Sequence, residues 1–164
     1  MNLRIAGSTS STFVSSSACV SPGSSWRTTF VPPSRYARGL AVGDYDNDGD
    51  VDAALIRLQD MPVLLRNNVG ESSSWVGFQL VGTKSNRDAI GAKLTVRLGD
   101  RKLVRWITGG ASIFSSHDNR VVFGLGANPG SPSTSVEIQW PNGVTQTVDG
   151  LAPKRYHKVV EPPG

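Results

Sequence analysis

Between Gly43 and Asp52 the chain reads GDYDNDGDVD, with carboxylates at every second position: Asp44, Asp46, Asp48, Asp50 and Asp52. Like charges packed this closely repel, so a fold built around them needs a local positive charge. The chain as a whole is basic, with net charge +4 and a sequence pI near 9.6. Outside the loop, eight acids stand against 17 Lys and Arg, about +9. Those cations are scattered and occur at most as pairs, Arg101-Lys102 and Lys154-Arg155. That distribution reads as a solvated surface, not a nucleic-acid footprint.

A hard divalent cation inside the loop resolves the repulsion. Calcium takes roughly six to eight oxygen ligands and tolerates irregular geometry. In D-x-D-x-D-G the odd positions turn inward and the glycine at position six permits the sharp bend. Asp44, Asp46 and Asp48 take positions one, three and five, and Gly49 takes six. Asp50 at seven would offer its backbone carbonyl, and Asp52 at nine would close the site with its carboxylate. An EF-hand needs Glu at position twelve; here that position is Leu55. Both flanks read as strands, so the expectation is a calcium loop within a β-hairpin. An all-protein oxygen cage favours calcium over magnesium.

The rest of the composition points the same way. Eighteen glycines and ten prolines suit a turn-rich all-β chain. No stretch approaches the roughly 18 apolar residues of a membrane span. The lone Cys19 cannot form an internal disulfide. No apolar h-region marks a secretory signal near the N-terminus.

Three segments emerge. Residues 1–38 are a Ser/Thr-rich leader, partly disordered by composition, with WRTTFV (Trp26–Val31) as a candidate strand before Pro32-Pro33. Residues 39–68 hold the acidic hairpin, although Ala53–Leu58 also carries helical propensity. NNVGESSS reads as a linker. Over 75–160 the strand signals are clean: WVGFQLVG, AKLTVRL with Ala92, Leu94, Val96 and Leu98 on one face, KLVRWI, RVVFGLG, SVEIQW and YHKVVE. Gly99-Asp100 marks a tight hairpin, and Asn142-Gly143 a type I′ turn. The fold expected is all-β: a small β-sandwich or barrel carrying the acidic hairpin as an N-terminal blade.

RGLAVGDYDNDGDVDAAL followed by VLLRNN resembles one FG-GAP repeat, the calcium-binding blade of integrin-type β-propellers. WVGFQLVGTKSNRDAIGAKLTV, GGASIFSSHDNRVVFGLG and VEIQWPNG resemble the ASPIC/UnbV domain of cartilage acidic protein-like and bacterial secreted proteins. The resemblance implies an extracellular or periplasmic parent, a calcium site and no catalysis. The chain has room for one blade, so a complete propeller is ruled out. A lone blade must cover its face by packing onto the sandwich, by continuing into a longer protein, or by self-association as a homo-oligomer. Packing onto the sandwich is the arrangement expected.

Two other features invite function. Ser116-His117-Asp118 suggests a triad, but adjacent residues cannot form the required relay, and a hydrogen-bonded structural loop is the expected role. His157 lies in a strand. Trp75, Trp106 and Trp140 fall on strands and are expected in the core; two exposed on one face would instead suit sugar stacking. The function expected is a non-catalytic calcium-stabilised module for adhesion or ligand binding. Its partner would be an extracellular protein or glycan. A carbohydrate-binding module is the alternative, and a metal-dependent hydrolase is disfavoured because the loop carboxylates are all claimed as ligands.

Overall fold

Period-two alternation over short runs, punctuated by Gly and Pro, dictates strands. A computed structural model describes residues 4–5, 37–59, 61–68, 73–111, 113–126 and 134–163, and among these it shows strands and no helix. Strands β1 (Arg4–Ile5), β2 (Ala37–Gly43), β3 (Asp52–Arg57) and β4 (Val63–Arg66) form one sheet in the order β1-β4-β3-β2. Strands β6 (Lys93–Leu98), β7 (Arg101–Trp106), β9 (Thr134–Gln139) and β10 (Thr145–Leu151) form a second, ordered β10-β9-β6-β7. Strands β5 (Ser74–Val81), β8 (Val121–Gly126) and β11 (Tyr156–Val160) form a third, ordered β11-β5-β8. Among the described residues no sheet closes into a barrel.

The second and third sheets share one apolar core and constitute the sandwich. Leu94, Val96, Val136 and Ile138 come from the first of them, and Val76, Phe78, Phe123 and Val159 from the other. Phe78 and Phe123 meet edge to face with centroids 5.9 Å apart. The face of β6 read from its alternation is the buried one. The last strand, β11, runs parallel to β5, a pairing that alternation alone does not specify. The helical propensity of Ala53–Leu58 is overridden: β3 is held between β2 and β4 in antiparallel register.

Two expectations are corrected. The β9–β10 connection is not a type I′ turn, because Gly143 alone has a positive φ there (90°). Pro141 fixes the preceding φ near −65°, so the chain makes a turn from Trp140 to Gly143, closed by the Gly143 N–H donating to the Trp140 carbonyl at 2.9 Å. Gly143 then takes the left-handed position of the three-residue hairpin class. Trp75 and Trp140 are buried, but Trp106 is 57% exposed on the edge strand β7, beside Lys93. Its cross-strand partner is Lys93, and that pair lies on the sheet face opposite Leu94, away from the core. The candidate strand at Trp26–Val31, Cys19 and most of the leader and linker lie outside the described residues. Among the described residues no helix is long and apolar enough to cross a membrane.

Candidate metal centre

Strand β2 ends opposite the start of β3, with Gly43 paired to Asp52, and the intervening residues wind into the acidic loop. The winding is built from short polar side chains bonding nearby backbone. Asp48 and Gly49 N–H donate to Asp44 Oδ1 and Oδ2 at 3.1 and 2.9 Å, and Asp50 N–H donates to Asp48 Oδ1 at 2.9 Å. Asn47 and Gly49 adopt positive φ, 61° and 91°. A Cβ at Gly49 would stand 2.3 Å from the Trp75 ring, so this position is restricted by conformation and by space.

The loop brings Asp44, Asp46 and Asp48 together: one carboxylate oxygen from each lies within 4.8 Å of the others. Asp44 is 2% exposed. Both oxygens of Asp46 are buried and accept no hydrogen bond. Arg66 answers part of the charge, with Nε 2.5 Å from Asp46 Oδ2 and Nη2 3.5 Å from Asp48 Oδ2. The Arg66 Nε contact lacks hydrogen-bond geometry, so it is an ion pair that leaves the Asp46 lone pairs unsatisfied. Three clustered carboxylates, with both oxygens of Asp46 unsatisfied, fit the donor chemistry of a hard cation.

Asp50 and Asp52 are not part of that group. Asp52 is buried and clamps the hairpin, accepting the N–H of Asn67 at 2.7 Å and of Tyr45 at 3.2 Å. Burial raises the Asp52 pKa, and the neighbouring Asp46 and Asp48 add to the rise, while the two backbone N–H groups oppose it.

The centre is also enclosed by side chains that spacing did not single out. The Tyr156 hydroxyl donates to Asp44 Oδ2 at 2.7 Å. Burial and then this bond to an anion hold the phenol well above its usual pKa. Arg120 donates to Asn47 Oδ1 at 2.6 Å and to the Asp44 carbonyl. Its Nε bonds Asp118 Oδ2 at 2.7 Å, which is the leading cause of its raised pKa. The available signal for Arg120 was the polar run SSHDNR set directly before an apolar strand.

That run does not form a triad. His117 Nδ1 accepts the Val42 N–H at 3.3 Å, and Asp118 N–H donates to the Val42 carbonyl at 2.9 Å. Ser115 Oγ donates to the Leu40 carbonyl at 2.7 Å, and Ser116 Oγ to the His117 carbonyl at 3.4 Å. The segment caps the outer edge of β2, which would otherwise present unpaired backbone groups. His157, on β11, has Nε2 2.8 Å from the Ala152 carbonyl.

Residues 82–164, half of the chain, match the family model described as ASPIC and UnbV. No curated protein matches the chain. The matched span covers most of the sandwich, including Arg120 and Tyr156, and the acidic loop lies before it.

Proposed function

We propose that this chain, which belongs to the ASPIC/UnbV family, is a non-catalytic calcium-binding β-module whose acidic hairpin is a single FG-GAP-type blade. Its role would be adhesion or ligand binding outside the cytoplasm, with a protein or glycan as partner. The observation that carries the reading is the convergence of Asp44, Asp46 and Asp48, with both Asp46 oxygens buried and unsatisfied. These three side chains would hold the ion. The Asp50 carbonyl and the Asp52 carboxylate complete the proposed ligand set, Asp52 keeping its backbone bonds through its other lone pairs. The metal's part is structural: it neutralises the carboxylates and fixes the loop. The extracellular setting suits such a site, since calcium modules there bind at roughly 10⁻⁴–10⁻³ M.

The test is thermal unfolding with calcium and with chelator. Calcium at about 100 times its Kd is expected to stabilise the folded chain by about 2.7 kcal/mol. Asp46→Asn should abolish that increment. A melting curve that calcium leaves unchanged, together with no heat in a calcium titration, would falsify the metal reading.

A further inference from the structure

The acidic loop does not stand alone. Its contacts converge on the outer face of the β11-β5-β8 sheet, the face turned away from the sandwich core. Trp75 and Gly77 of β5 and Tyr156 of β11 form that face. The Tyr156 ring lies over Gly77, where a Cβ would sit 2.4 Å from it, and meets Trp75 edge on at 5.3 Å. The Arg120 guanidinium covers the same ring at 4.5 Å. The phenol is therefore locked from three sides, and its hydroxyl points at Asp44. Arg120 is locked in turn: Asp118 accepts its Nε and also its backbone N–H, the latter at 2.9 Å.

We infer that this face is a receptor for the acidic loop, in which Tyr156 and Arg120 are positioning residues that hold the loop in its ligating shape. Tyr156 orients the Asp44 carboxylate through Oδ2, the oxygen that also receives the Gly49 N–H. Arg120 holds Asn47, a non-glycine residue in the left-handed region, and the Asp44 carbonyl. A group that bonds the second oxygen of a ligating carboxylate fixes its orientation, and losing such a partner typically costs about 10–100-fold in metal affinity. The family-matched sandwich thus contributes to a site whose ligands lie outside the matched span. It also answers how a lone blade is covered at its loop end. The affinity half of this inference rests on the calcium reading; the loop-order half does not.

The test uses the full chain and two variants, Tyr156→Phe and Arg120→Gln. Tyr156→Phe removes one oxygen and keeps the ring over Gly77. Amide exchange at Asp48 and Gly49 is expected to accelerate about tenfold, with exchange in β6 and β9 unchanged, because the opening is local. Calcium binding, by titration calorimetry, should weaken by about tenfold in each variant. The inference is overturned if both variants keep loop exchange and Kd within about twofold of the unaltered chain while Asp46→Asn abolishes binding. If the unaltered chain binds no calcium, the metal reading falls and exchange alone decides. Faster loop exchange in Tyr156→Phe then upholds the receptor, and unchanged exchange sinks it.

Discussion

In the sandwich, Trp140, Phe78, Leu94 and Ile138 are almost wholly removed from water; in the acidic sheet, the buried side chains among the described residues are Val63, Asp44 and Asp52. The acidic sheet leaves Ile56, Leu58 and Val51 exposed and carries an open cleft of about 280 Å³ against Ala41, Ala53, Ala54 and Leu64. One region is held by apolar burial, which is non-directional and needs no counter-charge. The other is held by directed bonds to carboxylates, whose strength depends on what neutralises them. The comparison teaches that a single short chain can combine a region packed from apolar side chains with one built from buried and hydrogen-bonded carboxylates.

The sharpest way to break that contrast is to damage the core and ask whether the loop's state matters. Trp140 is 1% exposed, and its Nε1 donates to Gln146 Oε1 at 3.0 Å. Trp140→Ala should cost about 3–5 kcal/mol, the usual range for a large aromatic deleted from a core. Denaturant titration should give the same loss with calcium and with chelator. A loss that differs by more than about 1 kcal/mol between the two conditions would mean that core and loop are one energetic unit, beyond ordinary additivity for separated sites.

A smaller, opposite perturbation enters at Gly49. Its φ of 91° and its 2.3 Å approach to the Trp75 ring leave no room for a methyl group. Gly49→Ala is expected to cost about 1–3 kcal/mol, the range for backbone strain of this kind. The cost should show as loss of the proposed calcium-dependent rise in melting temperature, with amide exchange in β6 and β9 unaltered. Slower or faster exchange in those strands would show that the strain spreads into the sandwich.

The same contrast explains what the sequence made legible. Alternation is a local signal, so AKLTVRL gave the correct buried face of β6, and the turn residues gave the hairpins. The spacing of Asp44, Asp46 and Asp48 likewise marked the side chains that converge. What alternation cannot carry is partner choice between distant strands: the parallel β5–β11 pairing sets Tyr156 beside Gly77. Arg120 and Tyr156 reach Asp44 across 76 and 112 residues, and nothing in local pattern encodes those distances. Asp52 shows the converse: its position suggests a ligand, while its backbone bonds also give it a fastening role between β3 and the chain after β4. Trp106 went the other way from its expected core position because edge strand β7 has its outer face open to solvent. The type I′ expectation at Asn142-Gly143 failed on one neighbour, Pro141.

The least conspicuous effect belongs to a carboxylate in the sandwich that needs no cation. Glu161 is 1% exposed, and its Oε2 accepts the N–H groups of Thr83, Lys84 and Ser85 at 2.7, 2.8 and 2.8 Å, while Oε1 accepts the Ser85 hydroxyl at 2.7 Å. Burial alone would raise its pKa, but the Ser85 bonds and then those from Thr83 and Lys84 outweigh it and lower the value from 4.5 to about 2. A folded pKa below the unfolded one contributes stability that is fully present above the unfolded value and is lost as pH falls toward the folded one. The window for Glu161 is therefore from about pH 4.5 down to about pH 2. Glu161→Gln should lower the melting temperature at about pH 6, and the gap to the unaltered chain should shrink steadily toward about pH 2.5. Measured in calcium-free buffer, that gap isolates Glu161 from the acidic loop, because both chains share the loop's titration. A gap of constant size across the window would show that four donors do not hold this carboxylate charged. The distinction between an anion satisfied by its own protein and the cluster proposed to hold a metal would then have to rest on geometry alone.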